Sequence, residues 1–462
     1  MQSVLAKLSL CRTRALGGKS YQCDDCGEVT EVHHSCGDRH CPQCSGCKRY
    51  DFAKRAERLI LEGVTYYQVV FTLPGVISEL ALTNREAIAD LLFDAAAASL
   101  RKTIRSQQEY DPAAMMVLHT WNQQLMPHWH VHALVPGGGP SLSGDQWKSA
   151  QAPPEAHNSN DHYLVDAISL REAFRKAALS RLRKLYSQGK LKLYGKFEYL
   201  SDEHCWKALC DDLAEVDWVS FIQPPPTKTS TAEQVVRYLT RYLTGGPISD
   251  SRIVTADTSH VTFLAREGVR VGGQREQVPV TIPTLEFMRR WCLHIQSEQL
   301  TKTRYFGGWC CHKRAEYQAT CRRVLGIDQS ETVGEEAESE EVQSYESPST
   351  QSEQSEEPEL QCAACGSYKL RFTSETPKPS WLDLLTHEDD RCPAWYAETE
   401  YQEFCEYLER EYGISYSDWS LEMREESTMS EPLQTEPPQV APTRQLFLPG
   451  LLPDTGYFAG SY

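Results

Sequence analysis

The 462-residue chain is long enough to bury a sizeable hydrophobic core and suggests about two to four domains. Its formal net charge of −17 is uneven: residues 328–462 carry 30 acidic and 7 basic side chains, and residues 1–327 carry 34 and 40. The mildly basic first part permits nucleic-acid binding, whereas the acidic remainder would repel a phosphate backbone. We expect a cytoplasmic protein with no membrane partner, because we find neither a run of about 18 apolar residues nor a secretion signal.

Cysteines are concentrated near the start, where six of the 17 fall between positions 23 and 47. Without a secretion signal, this density indicates metal binding rather than a disulfide framework. Two C-x-x-C pairs predict a structural Zn²⁺ site in a domain spanning residues 1–50. The expected ligands of this site are Cys23, Cys26, Cys41 and Cys44. Six other residues could build a second site or could be ordinary side chains beside the first. They are Cys11, His33, His34, Cys36, His40 and Cys47.

Residues 51–327 form the second predicted domain, in which strand and helix signals alternate. Residues 64–73 and 113–121 are rich in β-branched, aromatic and other apolar side chains and predict buried strands. Between them, residues 83–108 predict a helix with Thr83 as its N-cap and Glu86 completing a capping box. The later elements predicted are helices at 168–186, 202–213 and around Phe287, and strands at 216–222, 260–265 and 269–272.

Three histidines alternate with apolar residues at positions 128, 130 and 132. In a strand, side chains two residues apart share one face, so neighbouring imidazoles could hold one divalent cation. If residues 122–127 form a hairpin turn, His119 lies roughly opposite His130 and becomes the candidate third ligand. The alternatives are a strand with solvated or core-satisfied histidines, and a His119 that only packs.

Residues 232–243 predict a helix that carries Tyr238 and Tyr242. The two phenols are four residues apart, so they share one helical face. A metal-bound phosphodiester beside such phenols suggests phosphoryl transfer through a covalent tyrosyl phosphate. Taken alone, the pair is more typical of aromatic side chains that face the core of an amphipathic helix.

The remaining sequence is acidic. Residues 328–360 contain no basic and almost no apolar residue, so we expect a disordered linker. Residues 361–462 are expected to form an acidic tail that is helical near 395–412. This tail contains a single C-x-x-C pair, Cys362 and Cys365, whose candidate metal-binding partners are Cys392, Cys405 and His387.

The motifs together resemble those of two-tyrosine HUH transposases from rolling-circle insertion sequences, the insertion-sequence-91 family. The resemblance covers roughly residues 10–310. It is carried, in this order, by the segments Cys11–Gly18, Cys23–Gly27, Arg39–Cys44, Phe71–Pro74, Leu118–Trp121, His128–His132, Pro136–Gly139, Arg237–Tyr242 and Arg304–Gly307.

The resemblance implies an α+β fold with a central antiparallel sheet flanked by helices. It also implies that His130 and His132 bind catalytic Mg²⁺ or Mn²⁺ and that Tyr238 and Tyr242 are nucleophiles. Family enzymes cut one DNA strand, remain attached to its 5′ phosphate and leave a 3′-OH that drives replication or joining. The chain departs from the family pattern in three ways. It has no basic residue soon after Tyr242, it has three prolines at 224–226, and it carries the acidic tail.

The sequence therefore predicts a transposase that nicks single-stranded DNA at element ends and transfers strands. Lys228, Arg237 and Arg241 are the expected DNA contacts. Further candidate partners are a host helicase and the replication machinery. The alternatives are a plasmid replication initiator or relaxase with the same chemistry, and a zinc-dependent DNA-binding regulator whose catalytic site has decayed.

Overall fold

The computed structural model describes residues 1–44, 53–153, 163–223, 246–266, 277–297, 299–327, 360–386 and 389–412. The chain forms two units, which are Met1–Leu385 with Arg391–Pro393, and Thr386–Asp390 with Ala394–Tyr462. In the second unit the described helix is α9 (Ala394–Tyr412). Over the part of the chain that the structure describes, no helix is both long and apolar enough to cross a membrane.

The helices and strands of the first unit follow one another in a mixed order. They begin with α1 (Gln2–Ser9), β1 (Gly18–Cys23), β2 (Val29–His33), β3 (Tyr66–Thr72), α2 (Gly75–Leu80), α3 (Arg85–Gln107), β4 (Ala113–Trp121) and β5 (Pro127–Pro136). They continue with β6 (Gly138–Pro140), β7 (Trp147–Ser149), α4 (Ala167–Ser187), α5 (Glu203–Glu215), β8 (Val219–Gln223), β9 (Ile253–Ala256), β10 (His260–Arg266) and β11 (Gln277–Pro283). The last are α6 (Thr284–Cys292), β12 (Thr303–Gly307), α7 (Arg314–Leu325), β13 (Leu370–Thr376) and α8 (Trp381–Leu384).

A five-stranded sheet in the order β12-β4-β5-β3-β8 lies at the centre of the first unit, and all its neighbouring strands are antiparallel. It confirms the predicted α+β fold with a central antiparallel sheet. The predicted strands at 64–73, 113–121 and 216–222 correspond to β3, β4 and β8. The histidine segment is the long central strand β5.

The two faces of this sheet differ because successive side chains of a strand point in opposite directions. Phe71 and Val131 lie on the face that packs against α3 and α4 in an extensive core. The rings of Phe71 and Phe174 are 5.0 Å apart, and both residues are fully buried. Burying a side chain of this size stabilises the fold by about 1.5–3 kcal/mol. One face is therefore covered by helices. The other face carries a second buried apolar cluster, which includes Val117 and Leu134, beside its polar side chains.

The start of α3 differs from the prediction that Thr83 caps it. The N-cap is Asn84, and its side chain makes no cap hydrogen bond. The Asn84 amide instead donates to Lys192 O at 3.0 Å and accepts from Lys192 N at 2.7 Å. Thr83 Oγ1 donates to Leu80 O at 3.2 Å, because α2 ends only three residues earlier. The polar residues here join two segments of chain rather than form a capping box.

A second sheet, in the order β11-β10-β9, packs with α6 around Phe263 and Trp291. Val4, Leu5 and Leu8 of α1 pack against the same core. The predicted strand at 260–265 is confirmed as β10. The predicted strand at 269–272 lies outside the described residues, and β11 was not predicted.

The first cysteine-rich segment forms a third sheet, in the order β13-β1-β2. We call these three strands the ribbon. Strand β13 comes from the predicted acidic tail and pairs with β1 in antiparallel fashion, from Gly18 opposite Thr376 to Cys23 opposite Leu370. The first and last described parts of the first unit therefore share one sheet. The three boundaries between the four predicted domains stay a prediction.

Candidate active site and metal centres

Three histidines meet on the face of the central sheet that α3 and α4 leave open. His119 on β4 lies directly opposite His130 on β5, because the short turn at 122–126 fixes the register of the hairpin. His132 follows two residues later on the same face. One nitrogen from each of these three side chains lies within 4.8 Å of the others. We call this group the histidine triad.

His128, the first of the three alternating histidines, does not belong to the triad. Its ring packs on that of His130, with 5.0 Å between the centroids. Its backbone oxygen has a more specific contact, since it lies 2.8 Å from His130 Nδ1. That contact assigns the proton of His130 to Nδ1 and leaves the lone pair of Nε2 for a ligand.

Gln68 on β3 orients the second ligand on β5. Its side-chain nitrogen is placed 2.6 Å from His132 Nδ1, while its buried Oε1 has no hydrogen-bond partner among the described residues. The two ends of an amide are interchangeable by rotation. With Oε1 facing the ring, Oε1 accepts a hydrogen bond from His132 Nδ1–H, and the amide nitrogen takes the former position of the oxygen. His132, like His130, then presents Nε2 as its free ligand atom.

Burial keeps the imidazoles of His130 and His132 uncharged. Desolvation lowers the pKa of His132 to about 4 and that of His130 well below its usual value, with the neighbouring histidines adding to the effect on His130. Neutral imidazole is the form that binds a cation. The positive charge of Lys302 also lowers the pKa of His132. The Nζ atom of Lys302 lies 5.2 Å from the centre of the Trp121 ring.

The donor set fits a divalent transition metal. A cation bound about 2.1 Å from each nitrogen would hold three ligand atoms roughly 3–3.5 Å apart, so modest side-chain adjustments would complete the site. Three imidazoles suit Mn²⁺ better than Mg²⁺, which prefers oxygen ligands. The catalytic metal itself remains an expectation.

The edge strand β8 extends the open face toward the chain segment that follows it. Val219 and Phe221 pair with Thr72 and Val70, and about half of each of their side chains is exposed. The described residues stop at Gln223, which lies opposite Gln68. The predicted nucleophiles and DNA contacts, namely Tyr238, Tyr242, Lys228, Arg237 and Arg241, lie outside the described residues.

The cysteines form two clusters that differ from the predicted grouping. The first cluster contains Cys11, Cys36, Cys41 and Cys44, all of them buried. Cys44 Sγ lies 3.5 Å from the sulfur atoms of both Cys11 and Cys36. Four thiolates around Zn²⁺, each about 2.3 Å from the ion, lie about 3.8 Å apart. We call this group the buried cysteine cluster.

Cys23 and Cys26 are not part of that cluster, so the predicted site that joins them to Cys41 and Cys44 is wrong in its grouping. The hairpin between β1 and β2 carries them away from the segment at 36–44. They meet Cys362 and Cys365 instead. Cys392 and Cys405, which were candidate partners of the last pair, belong to neither cluster, and His387 lies outside the described residues.

The histidines of the first segment also have other partners. His40 Nδ1 lies 3.0 Å from Asp38 Oδ1, and its Nε2 accepts from the backbone of Gln296. His34 contacts Thr376 O, and His33 lies 3.8 Å from Glu31. None of them belongs to either cysteine cluster. Cys47 lies outside the described residues.

Two family models match the chain. One is described as "Transposase zinc-binding domain" and matches residues 1–73, and the other is described as "Putative transposase" and matches residues 113–316. The first match covers the buried cysteine cluster, which supports structural Zn²⁺ in this domain. The second match covers the histidine triad.

Two proteins that this chain resembles are named as transposases. "Putative transposase y4qJ" of Sinorhizobium fredii (strain NBRC 101917 / NGR234) is 34% identical over 327 residues, which are 70% of this chain and 78% of that protein. "Transposase for insertion sequence element IS801" of Pseudomonas savastanoi pv. phaseolicola is 27% identical over 308 residues, 66% of this chain and 68% of that protein.

The zinc-binding start and the family matches define the class, a transposase with an N-terminal zinc-binding domain. Within that class, the chain belongs to the IS91 family of insertion-sequence transposases, which the order of its motifs predicted.

Proposed function

We propose that this transposase nicks single-stranded DNA at element ends through a covalent 5′-phosphotyrosine intermediate and then transfers the strand in rolling-circle transposition. The observation that carries the proposal is the histidine triad, in which one ring nitrogen of each of three histidines lies within 4.8 Å of the others. The triad lies on the open face of the sheet, and β8 carries the chain across that same sheet before the tyrosine segment begins.

His119, His130 and His132 would hold Mn²⁺ or Mg²⁺, and the bound cation would polarise the phosphodiester and offset charge on its nonbridging oxygens. The protein's own contribution is to keep the imidazoles of His130 and His132 neutral and fixed in orientation. Gln68 and the backbone oxygen of His128 supply that orientation through the two Nδ1 atoms.

Tyr238 and Tyr242 would supply the nucleophiles. The phenolic oxygen attacks phosphorus and loses its proton, the bond from phosphorus to the 3′ oxygen breaks, and that oxygen takes up a proton. The new phosphotyrosine keeps the energy of the phosphodiester, so no energy cofactor is required and the step is reversible. Attack on phosphotyrosine by another 3′-OH restores the phenol and joins two strands.

The chain is long enough to bring the phenols to the triad. Tyr238 lies fifteen positions after Gln223, and a chain of that length can span up to about 50 Å when extended. Lys228, Arg237 and Arg241 lie on the same segment and would contact the DNA backbone. The released 3′-OH would serve the host replication machinery as a primer, with a host helicase separating the strands.

A covalent-adduct experiment tests the assignment. A single-stranded oligonucleotide that carries the element end is labelled at its 3′ end and incubated with Mn²⁺ and the full chain. We expect a labelled protein band under denaturing conditions with the native chain and no band with the Tyr238→Phe, Tyr242→Phe double variant. The matched control is Tyr194→Phe, because Tyr194 is highly exposed and outside the triad.

The double variant should retain native zinc content and native oligonucleotide binding. If it still forms the labelled adduct, neither tyrosine is the required nucleophile. If the native chain binds the oligonucleotide but gives no adduct with any divalent metal, the proposed chemistry is wrong and the chain only binds DNA.

A further inference from the structure

The second cysteine cluster joins two segments that are far apart in the sequence. Cys23 Sγ lies 3.6 Å from Cys365 Sγ, and the two residues are separated by 342 positions. Cys26 Sγ lies 3.7 Å from Cys362 Sγ across 336 positions. We call this group the bridging cysteine cluster. No family match covers Cys362 or Cys365.

The two halves of the bridging cysteine cluster have the same local structure. Each is a C-x-x-C-G turn, and the glycines Gly27 and Gly366 have φ values of 76° and 75°. Gly27 N donates to Cys23 O at 2.8 Å, and Gly366 N donates to Cys362 O at 2.9 Å. A non-glycine residue would be strained at such a φ, so both sequences are built for this turn. Two equal turns that each present two thiols form a typical four-thiolate zinc site.

The sulfur distances distinguish metal coordination from a disulfide. Tetrahedral Zn²⁺ with Zn–S bonds of about 2.3 Å holds its sulfur atoms about 3.8 Å apart. A disulfide would require about 2.0 Å. The distances of 3.6 and 3.7 Å agree with the first value, and all four sulfur atoms lie within 4.8 Å of one another.

The ribbon around this cluster has little apolar core of its own. Six of the seven residues of β13 are exposed, and β1 and β2 contribute one buried residue between them, Cys23. A small sheet that buries so little apolar surface is not stable by itself and requires a metal or another cross-link. Polar contacts add specificity, since Asp25 accepts from Ser367 Oγ at 2.7 Å and Lys369 Nζ at 3.2 Å.

We propose that Cys23, Cys26, Cys362 and Cys365 bind one Zn²⁺ ion, separate from that of the buried cysteine cluster, which holds β13 on the N-terminal hairpin. The ion closes a loop that contains the whole central sheet and the tyrosine segment. It thereby makes residues 362–376 part of the zinc-binding region rather than part of a free acidic tail. This inference does not depend on the proposed DNA chemistry.

Metal content gives the first test. We expect two zinc ions per full-length chain by mass spectrometry under native conditions, and one in the Cys362→Ser, Cys365→Ser variant. The matched control is Cys205→Ser with Cys311→Ser, because these two cysteines lie outside both clusters, and it should keep two. Two ions retained by the Cys362→Ser, Cys365→Ser variant would overturn the assignment. So would a native chain that carries one ion and is lighter than its reduced mass by two or four hydrogens, which would indicate disulfides.

The second test asks whether the ion holds the two segments together. A recognition sequence for a specific protease is inserted after Ser344 in the full chain, and the cleaved protein is passed over a size-exclusion column. We expect the fragment from 345 onward to elute with the larger fragment when zinc is present. It should elute alone after zinc is removed with a chelator, and also when Cys362 and Cys365 are serine. Separate elution of the zinc-loaded native fragments would contradict the proposal, even if the metal count agreed with it.

Discussion

The central sheet has five strands and the ribbon has three, and both are antiparallel. Different forces hold the strands of the two sheets together. The central sheet has one face covered by α3 and α4, with Phe71, Val131 and their neighbours fully buried. The strands of the ribbon are mostly exposed, and the thiols of its two C-x-x-C turns meet across more than three hundred residues of sequence. The apolar core therefore positions the histidine triad whether or not a cation is bound. The ribbon, by contrast, has no comparable core to bring its cysteines together.

The largest effect concerns the free energy of unfolding when one phenylalanine in each region is replaced by alanine. Phe71→Ala in the core should lower the free energy of unfolding by about 3–5 kcal/mol, because it leaves a cavity among buried side chains. Phe372→Ala in the ribbon should change it by less than about 0.5 kcal/mol, since that side chain is half exposed. Chemical denaturation of the zinc-loaded chain measures both. Equal losses for the two variants would contradict the distinction between the regions.

A second effect concerns pH and the hairpin that carries the triad. His294 is 2% exposed, and its ring joins Thr120 Oγ1 to Leu125 O. Burial lowers the pKa of His294 from 6.5 to about 4. The unfolded chain therefore takes up this proton first as pH falls, and stability that is fully present above pH 6.5 is lost between pH 6.5 and about 4. The loss from this group is expected to reach about 3 kcal/mol.

Denaturation curves at pH 7 and pH 4.5 for the native chain and for His294→Gln check this expectation. The variant is less stable at pH 7, but it should lose less stability on acidification. An acid-induced loss equal to that of the native chain would assign the effect to other histidines.

The third effect isolates the orientation of one ligand in the triad. In Gln68→Met the ring of His132 loses its hydrogen-bond partner, and Mn²⁺ affinity should fall about 10- to 100-fold. In Gln68→Glu an oxygen still accepts from Nδ1–H, so affinity should be kept. Titration followed by the electron paramagnetic resonance signal of free Mn²⁺ measures both variants, and unchanged unfolding curves would exclude a general loss of structure. Tighter binding by the Met variant than by the Glu variant would be inconsistent with the proposed role of Gln68.

The smallest effect concerns the rate of zinc loss after alanine replaces one of two glycines with left-handed φ values. Gly366→Ala should destabilise the bridging turn by about 1 kcal/mol, because a Cβ is unfavourable at φ 75°. We expect this to appear as faster zinc loss to a chelator. Gly326→Ala, at φ 69° beyond the end of α7, is strained in a similar way but lies far from any cysteine cluster in the sequence. It should leave zinc exchange unchanged, and equal zinc loss in the two variants would point to a general effect.

Local patterns were sufficient for much of the fold. Segments of apolar and β-branched residues predicted β3, β4 and β8, and the short turn at 122–126 placed His119 opposite His130. Such features depend on residues close in sequence, where the geometry of a hairpin permits few alternatives. The prediction that Thr83 caps α3 shows where this reasoning failed. Asn84 occupies the N-cap position, and its side chain forms hydrogen bonds with the backbone of Lys192, more than a hundred residues away.

The order of residues alone established that the chain carries thiols in zinc-binding spacing, paired imidazoles on one strand face and the motif order of its family. The pairing of the C-x-x-C turns, the contact of Gln68 with His132 and the pairing of β13 with β1 depended on how the whole chain folds. Spacing fixes the chemistry of a local turn, but it does not fix which distant turn is its partner. The matching glycines of the Cys23 and Cys362 turns were a signal for that pairing, and the loop of more than three hundred residues between them concealed it.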